Sequence, residues 1–97
     1  MEIDMSLHNA ALYKGCQIEE VAGRLNLKTP VAEGVALVGR NIAAIVRGTP
    51  PEARDSVTLT GPMAVWAYLV VFHAVVHVCR EVRYFDGRNT VVLARHG

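Results

Sequence analysis

The fold is decided by Ser56-Val57-Thr58-Leu59-Thr60-Gly61-Pro62-Met63-Ala64-Val65-Trp66, by the uncharged run from there to Cys79, and by Val82-Arg83-Tyr84-Phe85 beyond it. Val57 and Leu59 alternate with Ser and Thr, the period of a strand with one buried face. Gly61-Pro62 breaks that strand, and proline suits the first turn of a helix. From Pro62 to Cys79 the spacing predicts one long helix. Val82 to Phe85 returns to β-forming residues, Asp86-Gly87 is a tight turn or bulge, and Thr90 to Arg95 is a last strand. The unit is strand, helix, strand, strand. It predicts an α/β (α+β) fold, a small mixed sheet with helices packed on it.

Working outward, Ile3, Met5 and Leu7 alternate with Asp4 and Ser6, which predicts a half-buried first strand. Gln17 to Asn26 carries Ile18, Val21, Ala22 and Leu25 at helical spacing and reads as a short amphipathic helix ended by Leu27-Lys28-Thr29-Pro30. Val31 to Arg47 is consistent with two short strands meeting at Gly39, or with one helix; its alanines and lack of proline favour the helix. Gly48-Thr49-Pro50-Pro51 is a break, and Glu52 to Asp55 a solvated loop.

A chain of 97 residues, 52% of them hydrophobic, has room for one core and is apolar for its size. That surplus predicts burial against a second copy, a homodimer. A formal net charge of +1 excludes a general binder of duplex nucleic acid but leaves room for a small anion held by a few arginines. Cys16 and Cys79 stand far apart without CxxC partners, so neither a disulfide framework nor a zinc motif is present. The acidic N-terminus lacks the order of a signal peptide, and the cytoplasm is the expected location. As a helix, Gly61 to Cys79 would be about 28 Å long, near bilayer thickness. Pro62, His73 and His77 within it argue instead for a central helix between a sheet and a second subunit, with no membrane partner.

Two places carry candidate chemistry. At Thr58 to Pro62 a strand runs into a helix, where free N–H groups and the helix dipole can hold a phosphate, with Gly61 admitting close approach. An ordinary strand-to-helix turn has the same pattern. The second place is His73, His77, Asp86 and Arg88. The histidines are four apart on one helix face, and Asp86 and Arg88 come after them at a strand end. Core or interface histidines and a plain Asp-Gly turn would look alike, and no motif demands a zinc pair here.

Taken together, Gly61-Pro62-x-x-x-Trp66-x-Tyr68-Leu69, His77, Phe85-Asp86-Gly87-Arg88, Val92-Leu93 and His96 resemble the stand-alone CRISPR-associated ring nucleases of type III systems. The likeness covers roughly the last 40 residues, with Gly87 where the family has proline; about the first 55 do not follow the family closely. It implies a homodimer that binds a cyclic oligoadenylate, above all the tetra-adenylate, across its two-fold axis and cuts it to end the signal. His77 corresponds to the catalytic histidine, Asp86 to the essential acidic residue and Arg88 to the arginine beside it. Thr60, Gly61, Trp66 and His73 would line the ligand, with Trp66, Tyr68 and Tyr84 as the rings open to stacking on adenine. The family's divalent metal, Mn2+, would fall to Asp86. A non-catalytic module that sequesters the nucleotide, and a small dimeric adaptor, are the competing readings.

Overall fold

Ser56–Thr60 sits in the middle of the sheet, and its burial alternates as its sequence does, with Val57 and Leu59 inside. The structure is a computed structural model and describes residues 1–96. In chain order it comprises β1 (Glu2–Asp4), β2 (Ile18–Val21), β3 (Arg24–Leu27), α1 (Val31–Arg47), a 3-10 turn (Pro51–Ala53), β4 (Ser56–Thr60), α2 (Val65–Val76), β5 (Glu81–Phe85) and β6 (Thr90–Arg95). The strands lie in the order β1-β4-β5-β6. β1 and β5 flank β4 in parallel, and β6 pairs antiparallel with β5 through a bulge at Val82/Arg83. This is the mixed sheet with two helices expected of an α+β domain.

Both helices join one core. Val38, Ile42 and Val46 of α1, and Ala67, Val71 and Val75 of α2, are buried with Ile3, Val57, Leu59 and Val82. Where the helices meet, Gly34 lies under the Trp66 indole; a Cβ there would sit 2.8 Å from the ring. The Tyr13 hydroxyl donates to the Met5 carbonyl inside this core. Burial, and then the charge of Asp4, push that phenol up, so it stays a donor. The opposite sheet face bears Thr58, Thr60, Glu81 and Arg83, all partly exposed. Among the described residues, no helix is long and apolar enough to cross a membrane.

Three expectations need correction. Gln17 to Asn26 is a β-hairpin and not a helix: β2 pairs antiparallel with β3, Ile18 opposite Leu27 and Glu20 opposite Leu25. Ala22 and Gly23 take φ of 52° and 78°, the paired left-handed geometry of a two-residue hairpin turn, which ends any helix. At its base the Gln17 amide donates to Thr29 Oγ1 (2.7 Å) and the Lys28 amide to the Gln17 carbonyl (2.8 Å). The first strand stops at Asp4, short of Leu7, because the Asp4 carboxylate accepts from the Ser6 amide (2.8 Å) and hydroxyl (3.0 Å) and turns the chain. The long helix is shorter at both ends, since Ala64 is extended and His77 is already its C-cap. Val31 to Arg47 is one helix, as favoured, and the strand alternative falls.

Gly61 is fixed by its surroundings. Its φ is +102°, and a Cβ there would lie 2.7 Å from Asp4 Oδ1 and 3.3 Å or less from the backbone nitrogens of Met5 and Ser6. Gly61→Ala is therefore expected to cost roughly 2–4 kcal/mol in a denaturant titration, from strained φ and overpacking together. Ala22, by contrast, holds a left-handed φ with an ordinary side chain. Ala22→Asn should raise stability by about 0.5–1 kcal/mol, because asparagine tolerates that region better; an unchanged midpoint would mean the hairpin does not contribute to global stability.

Candidate functional site at the carboxyl ends of the parallel strands

Parallel strands joined through helices leave their carboxyl ends open, and ligands of such sheets bind in the crevice beyond them. Here those ends are Asp4 of β1, Thr60 of β4 and Phe85 of β5. Two adjoining hollows lie there and share Pro62 as a wall. One, of about 340 Å³, is lined by Thr60, Gly61, Tyr84, Phe85, Asp86 and Gly87 besides Pro62. The other, of about 500 Å³, runs under the β2–β3 hairpin and includes Ser6, His8, Arg24 and Asn26.

The first hollow unites Thr60 and Gly61 with Asp86, groups that the whole of α2 and β5 separates in the chain. The loop after β5 is built by Asp86 itself, whose Oδ1 accepts the amides of Arg88 (2.8 Å) and Asn89 (2.7 Å). Those donors, Asn89 first, hold its carboxyl below the usual carboxylate range. Arg88 is exposed on this loop, beside the hollow and outside its lining. Thr60 Oγ1 donates to the Phe85 carbonyl (3.0 Å) and so ties β4 to β5 at the rim. Tyr68 donates to the Gly61 carbonyl and meets Tyr84 edge-to-face, ring centroids 5.7 Å apart.

The other expected site residues lie elsewhere. Trp66 is half-buried against Gly34 of α1, so its ring serves helix packing and is not free to stack on a ligand in the hollow. His73 and His77 are both exposed, their rings edge-to-face at 5.0 Å, on the α2 face turned away from the core. α2 runs back along the sheet, so His77 stands at the amino end of β5 while Asp86 stands at its carboxyl end. Five residues of extended strand, roughly 3.3 Å each, separate them by about 16 Å. One copy of the chain does not bring the two together. His96 is at the His77 end, its amide donating to the Arg80 carbonyl (2.7 Å). There Glu81 accepts from Arg83 and from Arg95, an ion-paired cluster that holds its carboxyl low.

For a divalent metal the residues of one copy do not fit. Asp86 has one oxygen engaged by two backbone donors, and among the described residues no three of His, Cys, Asp or Glu come together. A hard cation wants several oxygen ligands at once.

The residues that inspection of the sequence passed over are Ser6, His8 and Arg24. Nothing in a linear pattern places them beside Pro62; the parallel pairing of β1 with β4 and the hairpin do. Comparison with protein-family models, with curated proteins and with solved structures finds no match to this chain.

Proposed function

We propose that the chain is a cytoplasmic ring nuclease, which binds a cyclic oligoadenylate, the tetra-adenylate first, at the carboxyl ends of β1, β4 and β5 and cleaves it. One observation carries this reading: Gly61-Pro62 and Phe85-Asp86-Gly87, two separate pieces of the resemblance, close a single hollow. Arg88, on the loop beside the hollow, is the assigned phosphate contact, since arginine meets phosphate bidentately; the free N–H groups of the α2 start lie further on, from Val65. In the reaction a ribose 2′-hydroxyl gives its proton to solvent as its oxygen forms a bond to the neighbouring phosphorus, the P–O5′ bond breaks leaving a 2′,3′-cyclic phosphate, and the departing O5′ takes up a proton. His77 is the assigned proton donor. Because β5 separates it from Asp86, joint action of the two needs His77 from another copy.

The separation of His77 from Asp86 also favours a second reading, a module that binds the ring without cutting it. Incubating the protein with labelled cyclic tri-, tetra- and hexa-adenylate, with and without Mn2+, decides between them. His77→Ala is expected to lower single-turnover cleavage by roughly 10²–10⁴-fold with an unchanged melting curve. Mixing His77→Ala with Asp86→Asn chains should then restore activity that neither has alone. Full activity of folded His77→Ala removes the histidine from the mechanism, and a mixture without recovery removes its action across copies.

A homodimer is part of the reading. Val65 is 73% and Leu69 63% exposed on α2, in line with His73 and His77, and Leu93 of the edge strand β6 lines a hollow with Val65. An uncharged face of this kind on a small domain supports that reading. Light scattering at micromolar concentration should give the mass of two chains, and Leu69→Asp the mass of one. A single-chain mass for the unaltered protein overturns the dimer.

A further inference from the structure

We propose that a hollow on the outer flank of α1, walled by Lys14, Arg40 and Arg47, binds a compact oligophosphate anion. It measures about 660 Å³, the size of a small-ligand pocket, and no Asp or Glu lines it. It is separate from the crevice beyond the strand ends. Gly34 and Gly39 turn toward Trp66 and Val70 of α2. Arg40 is 100° round the helix from Gly39, and Ala44 and Arg47 continue the same face at helical spacing.

The positive charges are held close by the fold. Asn41, buried in the floor of the hollow, donates to the carbonyls of Leu12 (2.8 Å) and Lys14 (2.9 Å) and pins that loop onto α1. Gly15 takes a φ of +90°, and a Cβ built on it would lie 3.3 Å from Arg40 Nη2. The Arg40 guanidinium thus rests on the residue next to Lys14, two cations brought together by backbone contacts that owe nothing to their charge. Among the described residues the ion pairs involve Lys28, Arg80, Arg83 and Arg95; Lys14, Arg40 and Arg47 form none.

Three of the chain's ten Lys and Arg, against nine Asp and Glu in all, line this one hollow with no acid among them. Neighbouring like charges without counter-charges repel, and a multiply charged anion between them relieves that repulsion while accepting charge-assisted hydrogen bonds. Three cations in a concave wall match several linked phosphates better than a single carboxylate. Ala11, Ala44 and Ile45 add an apolar margin on which a base attached to those phosphates can rest.

The probe is inorganic triphosphate, titrated calorimetrically into the full chain at low salt, with ATP in a parallel titration. One saturable site is expected, weakening steadily as salt is added. Arg40→Ala should weaken binding at least tenfold, with Arg40→Lys losing less. Lys28→Ala, remote and ion-paired, should leave it within twofold. Equal affinity for ATP means the site reads phosphates alone; tighter ATP binding means the apolar margin takes the base, and either result supports the site. Absence of saturable binding overturns the proposal, as does an Arg40→Ala protein that titrates like the unaltered one. Loss in Arg88→Ala equal to that in Arg40→Ala would overturn it by moving the anion to the strand ends. Binding of an RNA oligonucleotide without binding of triphosphate would overturn it by making the patch a nucleic-acid contact.

Discussion

The close approach of the Gly61 backbone to the Asp4 carboxylate governs how this sheet ends. There is no space for a Cβ between them, and because of that β1 can stay paired with β4 to the last residue of each, Asp4 opposite Thr60. The Met5 amide still donates to the Thr60 carbonyl beyond the formal strand (2.6 Å). The same carboxylate turns the chain through Ser6, and the Gly61 carbonyl accepts from Tyr68, which sets the angle at which the chain enters α2. Both hollows at the strand ends share Pro62, the next residue. A shift of Gly61 would therefore reach the pairing of the edge strand, the seating of α2 and the walls of the crevice at once.

How much of this was legible in the sequence differs by segment, for physical reasons. β4, α2, β5 and β6 are local: β4 alternates, α2 is a long uncharged run, β5 and β6 are rich in β-forming residues, and Gly61-Pro62 and Asp86-Gly87 punctuate them. The β2–β3 hairpin was not legible. Ile18, Val21, Ala22 and Leu25 satisfy a helical spacing as well as a strand pair does, and the turn that decides between them rests on an alanine in a left-handed conformation. Alanine carries no signal for that geometry, whereas Asn-Gly would have announced it. What holds the hairpin is Thr29 Oγ1 and the Gln17 carbonyl at its base, contacts between residues remote in the chain that no local pattern displays.

The candidate site was legible only in part, and the reason is topological. Asp86 follows His77 at an interval of nine in the chain, and a βαβ unit places the end of its helix at the start of the next strand. The full length of β5 then lies between the two groups. Conversely, Thr60 and Asp86 are far apart in sequence and adjacent in space, because β4 and β5 are parallel and in register, Thr60 opposite Phe85. Linear proximity misleads across a helix end, and parallel pairing brings together what sequence separates. Trp66 illustrates a different limit: an aromatic near a helix start fits ligand stacking and helix packing equally, and only the glycine at position 34, a full helix earlier, decides for packing.

The two helices also divide the surface by kind. α2 has no charged residue between Val65 and Val76, so the face it turns outward is apolar apart from two histidines. α1 turns outward a face with Arg40 and Arg47. Had the core alone dictated composition, the outer stripe of α2 would carry the charged residues usual for a solvated helix face, and the cations of α1 would be matched by acids at helical spacing. Neither holds. Val65 and Leu69 lie where solubility favours charge, and Arg40 faces no Asp or Glu across the hollow. Folding of one chain accounts for the inner stripes of both helices and leaves the outer ones unexplained. In the readings proposed above, a second copy covers the apolar stripe and an anion fills the basic hollow, so the two helix faces serve separate partners.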